Sequence, residues 1–473
     1  MRARPTNARG RARDRLAPFA LALCACLAAG ARADEATEEE PVLDAASLVQ
    51  PALLSGPGFS VDPHVELRGY MAHFTLDTPF GPLQAQSVEI LAEREAELPA
   101  LEALDRVTRS DAFLHAAGDR IGSTAQSLAR IVLHPVDTVL GIPAGVARYF
   151  RDRAAKLADR AQALSDRAAK QLGTSGDTYP AADGPMTDAR TDGDAAAKPG
   201  RRWYGGIARE AGREVKRQIR YGAAKRAIAE RLGLDPYTRN PLVQERLSAL
   251  AWVGSGGDFG VGTALGAIGG VGADVLDHGG RINEIVWKRS PDDLRERNEE
   301  HLLAYCSDHL LVRQFLRRGT FTPTLQTAFV DALDALQPGD GCNALLELGM
   351  TAAADLEARF LVNALRLVHA RLGAGAEKGR LVPIGAGLAV VTSDGALVLP
   401  LPVDRLSWTD EVRGFFDRPE FRVRDRTVLI GGDASLAARR ALTARGWSIV
   451  ASAWHGDAPP YARGGEPAPL EPE

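Results

Sequence analysis

The chain has few of the residues, and none of the short motifs, that mark the common catalytic sites. Its 473 residues include nine histidines and four cysteines, and they contain no H-E-x-x-H, no CxxC pair and no phosphate-binding Walker loop. The nearest run to the G-x-S-x-G of serine hydrolases, residues 253–257, begins with valine. Each motif fixes a nucleophile, a metal ligand or a phosphate cradle by its spacing. These absences favour a protein that is not an enzyme and needs no cofactor or metal. A hydrolase site assembled from distant residues stays open as an alternative.

Two sets of residues approach a site without reaching one. His301, Cys306 and His309 suggest metal ligands, but on one straight helix the two histidines would lie about 12 Å apart, too far to share an ion. Residues 431–433, Gly-Gly-Asp at an expected strand-to-helix turn, suggest an anion site at a helix N-terminus. A glycine pair at such a place more often forms only a turn. Neither set is predicted to be a functional site.

The N-terminus has the three parts of a secretory signal. Six arginines and one aspartate occupy residues 1–15, an apolar stretch interrupted only by proline follows at residues 16–27, and residues 31–33 supply the small alanines of a cleavage site. Twelve apolar residues are too few for a membrane-spanning helix, which needs about 20. We therefore predict a signal peptide over residues 1–33, cleaved after Ala33, and a periplasmic or secreted protein.

Two cysteines inside this signal leave a second N-terminus open. The run Leu23-Cys24-Ala25-Cys26 loosely resembles a lipobox, in which the last cysteine is lipidated and becomes the mature N-terminus. Lipidation at Cys26 would anchor the protein to a membrane, whereas cleavage after Ala33 would release it.

The charge balance argues against a nucleic-acid partner. Without residues 1–33 the chain has 50 basic and 60 acidic groups, a net charge of −10. Affinity for nucleic acid rests on neutralising phosphates with Lys and Arg. An acidic chain of this kind is not expected to bind nucleic acid.

The two cysteines outside the signal predict one disulfide. Cys306 and Cys342 are separated by 35 residues, and an exported protein meets an oxidising compartment. Chain-entropy bookkeeping gives such a bridge roughly 3–4 kcal/mol. Two buried free thiols are the alternative.

Composition and periodicity divide the chain into modules and predict a predominantly helical α+β fold. A β-hairpin turn at residues 79–82 precedes helical stretches, and the apolar and β-branched runs near the C-terminus predict a small α/β module with a βαβ crossover. The expected modules are a flexible leader (34–63), a hairpin with helices (64–172), a linker (173–200), a helical module (201–378), an α/β module (379–455) and a disordered tail (456–473).

Helix-start signals are clear in the middle of the chain. Asn240, Ser290 and Thr322 each place a capping side chain before a proline, and Ser290 has Asp293 three residues on, close to a capping box. Upstream, apolar and alanine positions over residues 150–168 recur at spacings of three and four. That heptad-like seam predicts helix–helix packing, within the chain or in a homo-oligomer.

A basic helix is the first surface that predicts a partner. Residues 201–231 contain ten basic and three acidic groups in a chain that is otherwise acidic. Such a helix suits an anionic membrane surface or an acidic protein partner. The residues expected to make this contact are Arg209, Arg213, Lys216, Arg217 and Arg220.

A glycine-rich segment, residues 254–272, is the second such surface. Gly262, Gly266 and Gly270 are spaced by four, so on a helix they form a groove that lets another helix approach closely. Tight internal packing and insertion into a membrane are both consistent with this pattern, although the stretch between its flanking aspartates is too short for a full span.

These features together predict an exported cell-envelope protein of non-enzymatic type. Its expected role is interaction or scaffolding through helix packing and the basic helix, with a protein of the envelope or an anionic membrane surface as partner. The alternatives are a membrane-active protein that uses the glycine-rich segment, and an exported hydrolase.

Overall fold

The computed structural model describes residues 36–118, 220–255, 280–338, 341–373, 379–384, 387–453, 455–456 and 459–462, with Gly262 and Gly266 as isolated helical positions. The described residues form twelve helices and two larger sheets, which confirms the prediction of a mostly helical α+β fold. Several predictions fall on residues outside the described ranges: the signal peptide predicted over 1–33, the helical seam predicted at 150–168, the linker predicted at 173–200, Gly270, and the basic residues Arg209, Arg213, Lys216 and Arg217.

The N-terminal sheet is antiparallel, with strand order β1-β4-β5-β3-β2 and β6 beside β5. The pairing of β5 with β6 confirms the hairpin predicted at residues 79–82. A second hairpin joins β4 to β5 through Gly69 and Tyr70, which both have positive φ. The strands are β1 (Val42–Asp44), β2 (Ser55–Gly56), β3 (Phe59–Val61), β4 (His64–Arg68), β5 (Met71–Asp77) and β6 (Leu83–Ala85).

Residues 36–63, expected to belong to a flexible leader, instead contribute β1, β2 and β3 to this sheet. The glycine- and proline-rich stretch that suggested flexibility makes the tight β2–β3 turn, where Gly58 has a φ of +82°. Of the acidic run, Glu38 and Glu40 accept hydrogen bonds from main-chain N–H groups, which gives these charges a structural role. The glycines and proline of this stretch therefore belong to a tight turn, and Glu38 and Glu40 bind main-chain N–H groups of the fold.

The described residues form twelve helices, and three of them begin where the capping signals predict. Side chains of Asn240, Ser290 and Thr322 accept main-chain hydrogen bonds at three helix starts, and Ser290 with Asp293 forms a full capping box. The helices are α1 (Val88–Thr108), α2 (Asp111–Gly118), α3 (220–232), α4 (Pro241–Gly254), α5 (Gly280–Lys288), α6 (Pro291–Leu303), α7 (His309–Leu316), α8 (Pro323–Leu336), α9 (Cys342–Thr351), α10 (Asp355–Leu372), α11 (Asp410–Phe416) and α12 (Leu436–Ala444).

The segment 342–372 forms two helices, α9 and α10, with a break between them. Ala352 leaves the helical conformation with a ψ of 123°. The carboxylate of Glu357 then accepts a hydrogen bond from the N–H of Ala353 at 2.7 Å, which stabilises the new helix start. The break turns the first residues of α10 toward α1.

The C-terminal sheet has the order β13-β11-β9-β8-β7. β7, β8 and β9 form antiparallel hairpins, whereas β9, β11 and β13 are parallel. Helix α12 connects β11 to β13, so the predicted βαβ crossover is present, and α10 packs on one face of the sheet. The strands of this sheet are β7 (Arg380–Ile384), β8 (Gly387–Val391), β9 (Leu397–Leu401), β11 (Arg426–Ile430) and β13 (Ser448–Val450). Two short strands, β10 (Arg405–Leu406) and β12 (Asp433–Ala434), pair in parallel as a separate two-stranded sheet.

The hydrophobic cores do not follow the module boundaries expected from the sequence. The larger core joins the N-terminal sheet, helices of the middle region and the C-terminal sheet. The smaller core gathers the second half of α1 with α3 and α4. The described residues of the tail that was expected to be disordered, 456 and 459–462, contact the N-terminal region: Tyr461 bridges to Val49 and the N–H of Ala462 donates to the carbonyl of Leu48. Both ends of the described chain therefore close on each other.

The predicted disulfide is present. Cys306 and Cys342 are bonded, with their Cα atoms 5.1 Å apart, and both residues are buried. The bridge joins the turn after α6 to the start of α9. Beside it, Asn343 accepts a hydrogen bond from the N–H of Asp308 and donates one to Ser307.

The length and apolar character of the described helices bear on membrane crossing. Among the described residues, no helix combines the length and the apolar character that crossing a bilayer requires.

Candidate binding cleft

The described residues enclose a cavity of about 300 Å³ where α1, α8 and α10 meet the loop after α3 and the C-terminal tail. We call this cavity the acidic cleft. Its charged lining residues are Glu89, Glu93, Glu97, Asp235, Arg359 and Arg366. Its apolar walls come from Ala92, Ala96, Leu234, Ile282, Leu325 and Ala328.

Helix α1 supplies a stripe of three carboxylates to the cleft. Glu89, Glu93 and Glu97 are spaced by four residues, and side chains at that spacing lie on one face of a helix, about 6 Å apart along its axis. The helix is fixed at its start, where the hydroxyl of Ser87 accepts a hydrogen bond from the N–H of Ile90. The opposite face is buried in both cores, so the acidic face is held in register against the cleft.

Arg359 on α10 holds the first two of these carboxylates. Its guanidinium donates to Glu93, to Glu89 at 3.1 Å and to Asp355 at 2.7 Å, and only 7% of the residue is exposed. Burial disfavours its charged form, but Glu93, Asp355 and Glu89 outweigh that effect and raise the pKa of Arg359. The guanidinium therefore stays charged and is shared among three acids.

Glu97 is the most buried acid of the stripe. Its carboxylate accepts hydrogen bonds from Arg94 at 2.9 Å, from Asn240 at 2.7 Å and from the hydroxyl of Thr238. Burial raises the pKa of Glu97, against the opposing effects of Arg94 and the two neutral donors. Because its oxygens are occupied, Glu97 stabilises the loop after α3 more than it offers an acceptor to a ligand.

Asp235 faces the stripe from that loop. Its Oδ1 accepts hydrogen bonds from Thr324 at 2.7 Å and from the N–H of Tyr237 at 2.9 Å. Burial raises the pKa of Asp235 to about 6, and the nearby charge of Glu93 adds to the rise. Oδ2 of Asp235 receives no hydrogen bond from any residue that the structure describes, and the same holds for Oε2 of Glu93.

The loop that carries Asp235 is fixed on both sides. Helix α3 ends at Gly233, whose φ of +67° turns the chain. The indole of Trp287 donates to the carbonyl of Leu234 at 2.7 Å, and Gln244 donates to the carbonyl of Pro236 at 3.0 Å. These two hydrogen bonds hold the main chain on either side of Asp235 and so fix the position of its carboxylate.

A second, much smaller cavity of about 20 Å³ adjoins the cleft and shares Glu89, Arg359 and Pro459 with it. Asp404 lines this space and is 1% exposed. Its Oδ2 accepts hydrogen bonds from the N–H groups of Ala72 and Val88, and its Oδ1 accepts one from the hydroxyl of Tyr461. Burial raises the pKa of Asp404 to about 7, although all three hydrogen bonds oppose the rise.

Asp404 consequently joins four parts of the chain. It contacts strand β5 through Ala72, the N-terminus of α1 through Val88, the tail through Tyr461, and its own segment after β9. We call this group the Asp404 junction. A Cβ on Gly432 would lie 2.0 Å from the carbonyl oxygen of Asp404, so this close approach requires glycine.

The surfaces predicted from the sequence are only partly described. Arg220 is exposed at the start of α3. Gly262 and Gly266 are exposed helical positions, and a Cβ built on either would meet no atom within 4 Å in the described structure. The contacts predicted for these residues, with an anionic surface, a protein partner or a second helix, stay predictions.

The two weak candidate sites have structural roles. Cys306 is in the disulfide, and Nδ1 of His301 lies 2.6 Å from a carboxylate oxygen of Asp334. The N–H groups of residues 431–433 all donate to main-chain carbonyls, so none is available to an anion. Within the described ranges, no group of three or more His, Cys, Asp or Glu side chains is arranged to hold a metal ion.

Sequence reasoning missed the acidic cleft, although one signal for it was present. The four-residue spacing of Glu89, Glu93 and Glu97 in a stretch expected to be helical places three acids on one face. The sequence does not show which residues face this stripe, because Arg359 and Asp235 lie more than a hundred residues from it along the chain.

Comparison of the chain with protein-family models, with curated proteins and with solved structures finds no match in any of the three. Any argument on function therefore rests on the residues described above.

Proposed function

We propose that this is an exported binding protein whose acidic cleft takes a small molecule. The observation that carries the proposal is the cleft itself: about 300 Å³, with apolar walls and a few convergent polar groups. Ligand sites in proteins typically have volumes of about 300–1,000 Å³ and that mixture of surfaces. Ligand sites also lie preferentially where separate structural units meet. The acidic cleft lies between the two hydrophobic cores and is lined by residues of both.

The hydrogen bonds of the lining support a preformed binding site. Among the described lining residues there is no serine, cysteine or histidine. The two threonine hydroxyls, of Thr238 and Thr324, donate to carboxylates that have raised pKa values. These contacts hold the carboxylates of Glu97 and Asp235 in fixed positions, as a preformed binding site requires.

Export and partner contacts remain part of the proposal on sequence grounds. The basic n-region, the apolar stretch and the site at Ala33 support export to the periplasm or the medium. Mass spectrometry of the purified N-terminus separates the alternatives, since cleavage after Ala33 leaves Asp34 first and lipidation leaves a modified Cys26. The basic helix around Arg220 supports a contact with an acidic protein or an anionic membrane.

A thermal-shift screen tests small-molecule binding directly. The mature protein is screened against amines, carboxylic acids, sugars and nucleosides of low mass, alongside the variant Ala96→Leu, which fills the cleft. A true cleft ligand raises the melting temperature of the wild type and not of Ala96→Leu. Ala444→Leu, at an exposed position of α12, is the matched control and should respond as the wild type does. Equal shifts in all three proteins, or none, would contradict a ligand site in the cleft.

A further inference from the structure

We propose that the ligand of the acidic cleft is a small organic cation, an aliphatic ammonium or guanidinium compound held between Glu93 and Asp235. This inference rests on the proposed binding function and names its chemical class.

The charge of the lining favours a cation. Four carboxylates and two arginines line the cleft. Arg359 already interacts with three carboxylates, one of which, Asp355, lies outside the lining. Arg94, which also lies outside it, pairs with Glu97, so the surplus of two negative charges remains. The guanidinium of Arg366 donates a hydrogen bond to the side-chain oxygen of Asn363 at 3.5 Å. An anionic ligand would therefore meet a surplus of negative charge, and a cation would reduce it.

Two acceptors are available to such a cation. Oδ2 of Asp235 and Oε2 of Glu93 receive no hydrogen bond from the described residues, although each partner oxygen does. The two groups approach from different elements, the loop after α3 and helix α1. Their mutual repulsion contributes to the raised pKa of Asp235, so a positive charge placed between them would relieve it.

The apolar walls favour an organic ion over a hydrated inorganic one. Ala92, Ala96 and Ala328 leave room beside α1 and α8, and Leu234 and Leu325 add larger apolar surface. A methylene chain would contact these side chains, and its removal from water would favour binding. A metal ion with its water shell would leave that surface without a contact. The combination of carboxylates with aliphatic walls matches a ligand with a charged end and an apolar body.

Isothermal titration with a matched series tests the class. The probes are butane-1,4-diamine, 4-aminobutan-1-ol and butane-1,4-diol, which share a four-carbon chain and carry two, one and no positive charges. 4-Guanidinobutylamine and magnesium chloride complete the set. We expect both amines and the guanidine to bind the wild type at pH 8, the diol at least about tenfold more weakly, and magnesium to leave diamine binding unchanged, since a hydrogen bond to a charged group contributes about 1.5–3 kcal/mol.

Two variants remove the acceptors separately. Asp235→Asn and Glu93→Gln should each weaken diamine binding about tenfold or more. Asp292→Asn and Glu300→Gln change exposed acids outside the cleft and should leave binding unchanged. Using two cleft variants keeps the test decisive if one of them folds poorly.

The outcomes separate this inference from the proposed function. Equal binding of the diol and the diamine, or full binding by both cleft variants, would overturn the cation class. If uncharged or anionic compounds stabilise the wild type but not Ala96→Leu, the cleft is a ligand site and the cation class is wrong. If no compound separates the wild type from Ala96→Leu, both proposals fail.

Discussion

Asp404, which is buried, and Asp235, which is half-buried, both have raised pKa values but lie in very different surroundings. Asp404 lines a space of about 20 Å³, and both of its oxygens accept hydrogen bonds. Asp235 lines a cavity of about 300 Å³, and within the described structure only its Oδ1 has donors. Burial causes both pKa shifts, so the shift alone does not distinguish the two roles. The size of the cavity and the acceptor without a donor distinguish the two aspartates, and the proposal of a ligand in the cleft rests on them.

The largest effect is expected at Arg359, which lines both cavities. Arg359→Met leaves Glu89, Glu93 and Asp355 without their shared cation and should lower the free energy of unfolding by about 4 kcal/mol. Urea denaturation of the purified protein measures this. Arg313→Met removes an arginine whose side chain is 60% exposed in its pair with Glu299, and it should cost less than about 1 kcal/mol. Similar losses in both variants would show that Arg359 does not hold the two cavities together.

Removing the acid of the Asp404 junction comes next. Asp404→Ala deprives the N–H groups of Ala72 and Val88 and the hydroxyl of Tyr461 of their acceptor. Each unsatisfied buried donor costs about 1–3 kcal/mol, and solvent entering the vacated space offsets part of this, so we expect a loss of about 3 kcal/mol in urea denaturation. A loss below about 1 kcal/mol would mean that the junction does not bind the tail to the rest of the fold.

The pH dependence of stability isolates the charge of Asp404. Folding raises its pKa from an unfolded value of about 3.9 to about 7, so the folded state favours the protonated form. The stabilisation of the folded state that comes from the raised pKa of Asp404 is fully present below about pH 4 and is lost as the pH rises through about 7. Between pH 5 and pH 7 the wild type should lose roughly 2 kcal/mol relative to Asp404→Asn. Urea denaturation at several pH values measures the difference, and a constant difference would contradict the raised pKa. The ionisable groups near Asp404, Glu89 and Tyr461, are the same in both proteins.

The smallest effect on stability is expected in the cleft. Asp235→Asn keeps an oxygen for the Oδ1 contacts with Thr324 and Tyr237 and removes a charge that burial disfavours. Thermal and urea unfolding at pH 8 should therefore agree with the wild type within about 1 kcal/mol, or show a small gain for the variant. A loss as large as that of Asp404→Ala would place Asp235 with the structural acids and remove the distinction between the two cavities.

Much of the fold was predictable because it is encoded locally. Asn240, Ser290 and Thr322 cap helices through their own main-chain neighbours, and the turn at Gly395 joins β8 to β9 as its residues require. These features need only a few consecutive residues. For the same reason the sequence predicted the helix starts and the C-terminal βαβ unit well.

The errors arose where distant contacts decide the outcome. Glu38 looked like part of a solvated acidic leader, but its carboxylate accepts a hydrogen bond from the N–H of Trp408, 370 residues away. Tyr461 lies in a proline-rich tail, and its hydroxyl donates to Asp404. Composition indicates flexibility in both cases, and pairing between the two ends of the chain overrides it.

The cleft illustrates the same limit for function. The acidic stripe on α1 was readable from its spacing, yet a stripe of acids on a helix is usually a solvated surface. Its meaning depends on Arg359 and on Asp235, which only the tertiary structure brings to it. The features that can be read locally, the basic helix and the glycine-rich segment, therefore predict partner surfaces but not the cleft.

One titration tests the central distinction most directly. Butane-1,4-diamine is titrated calorimetrically into the wild type, Asp235→Asn and Asp404→Asn under the same conditions at pH 8. The account predicts that Asp235→Asn weakens binding about tenfold or more, while Asp404→Asn stays within about threefold of the wild type. Equal weakening in both variants, or no dependence on Asp235, would contradict the assignment of one aspartate to the ligand and the other to the fold.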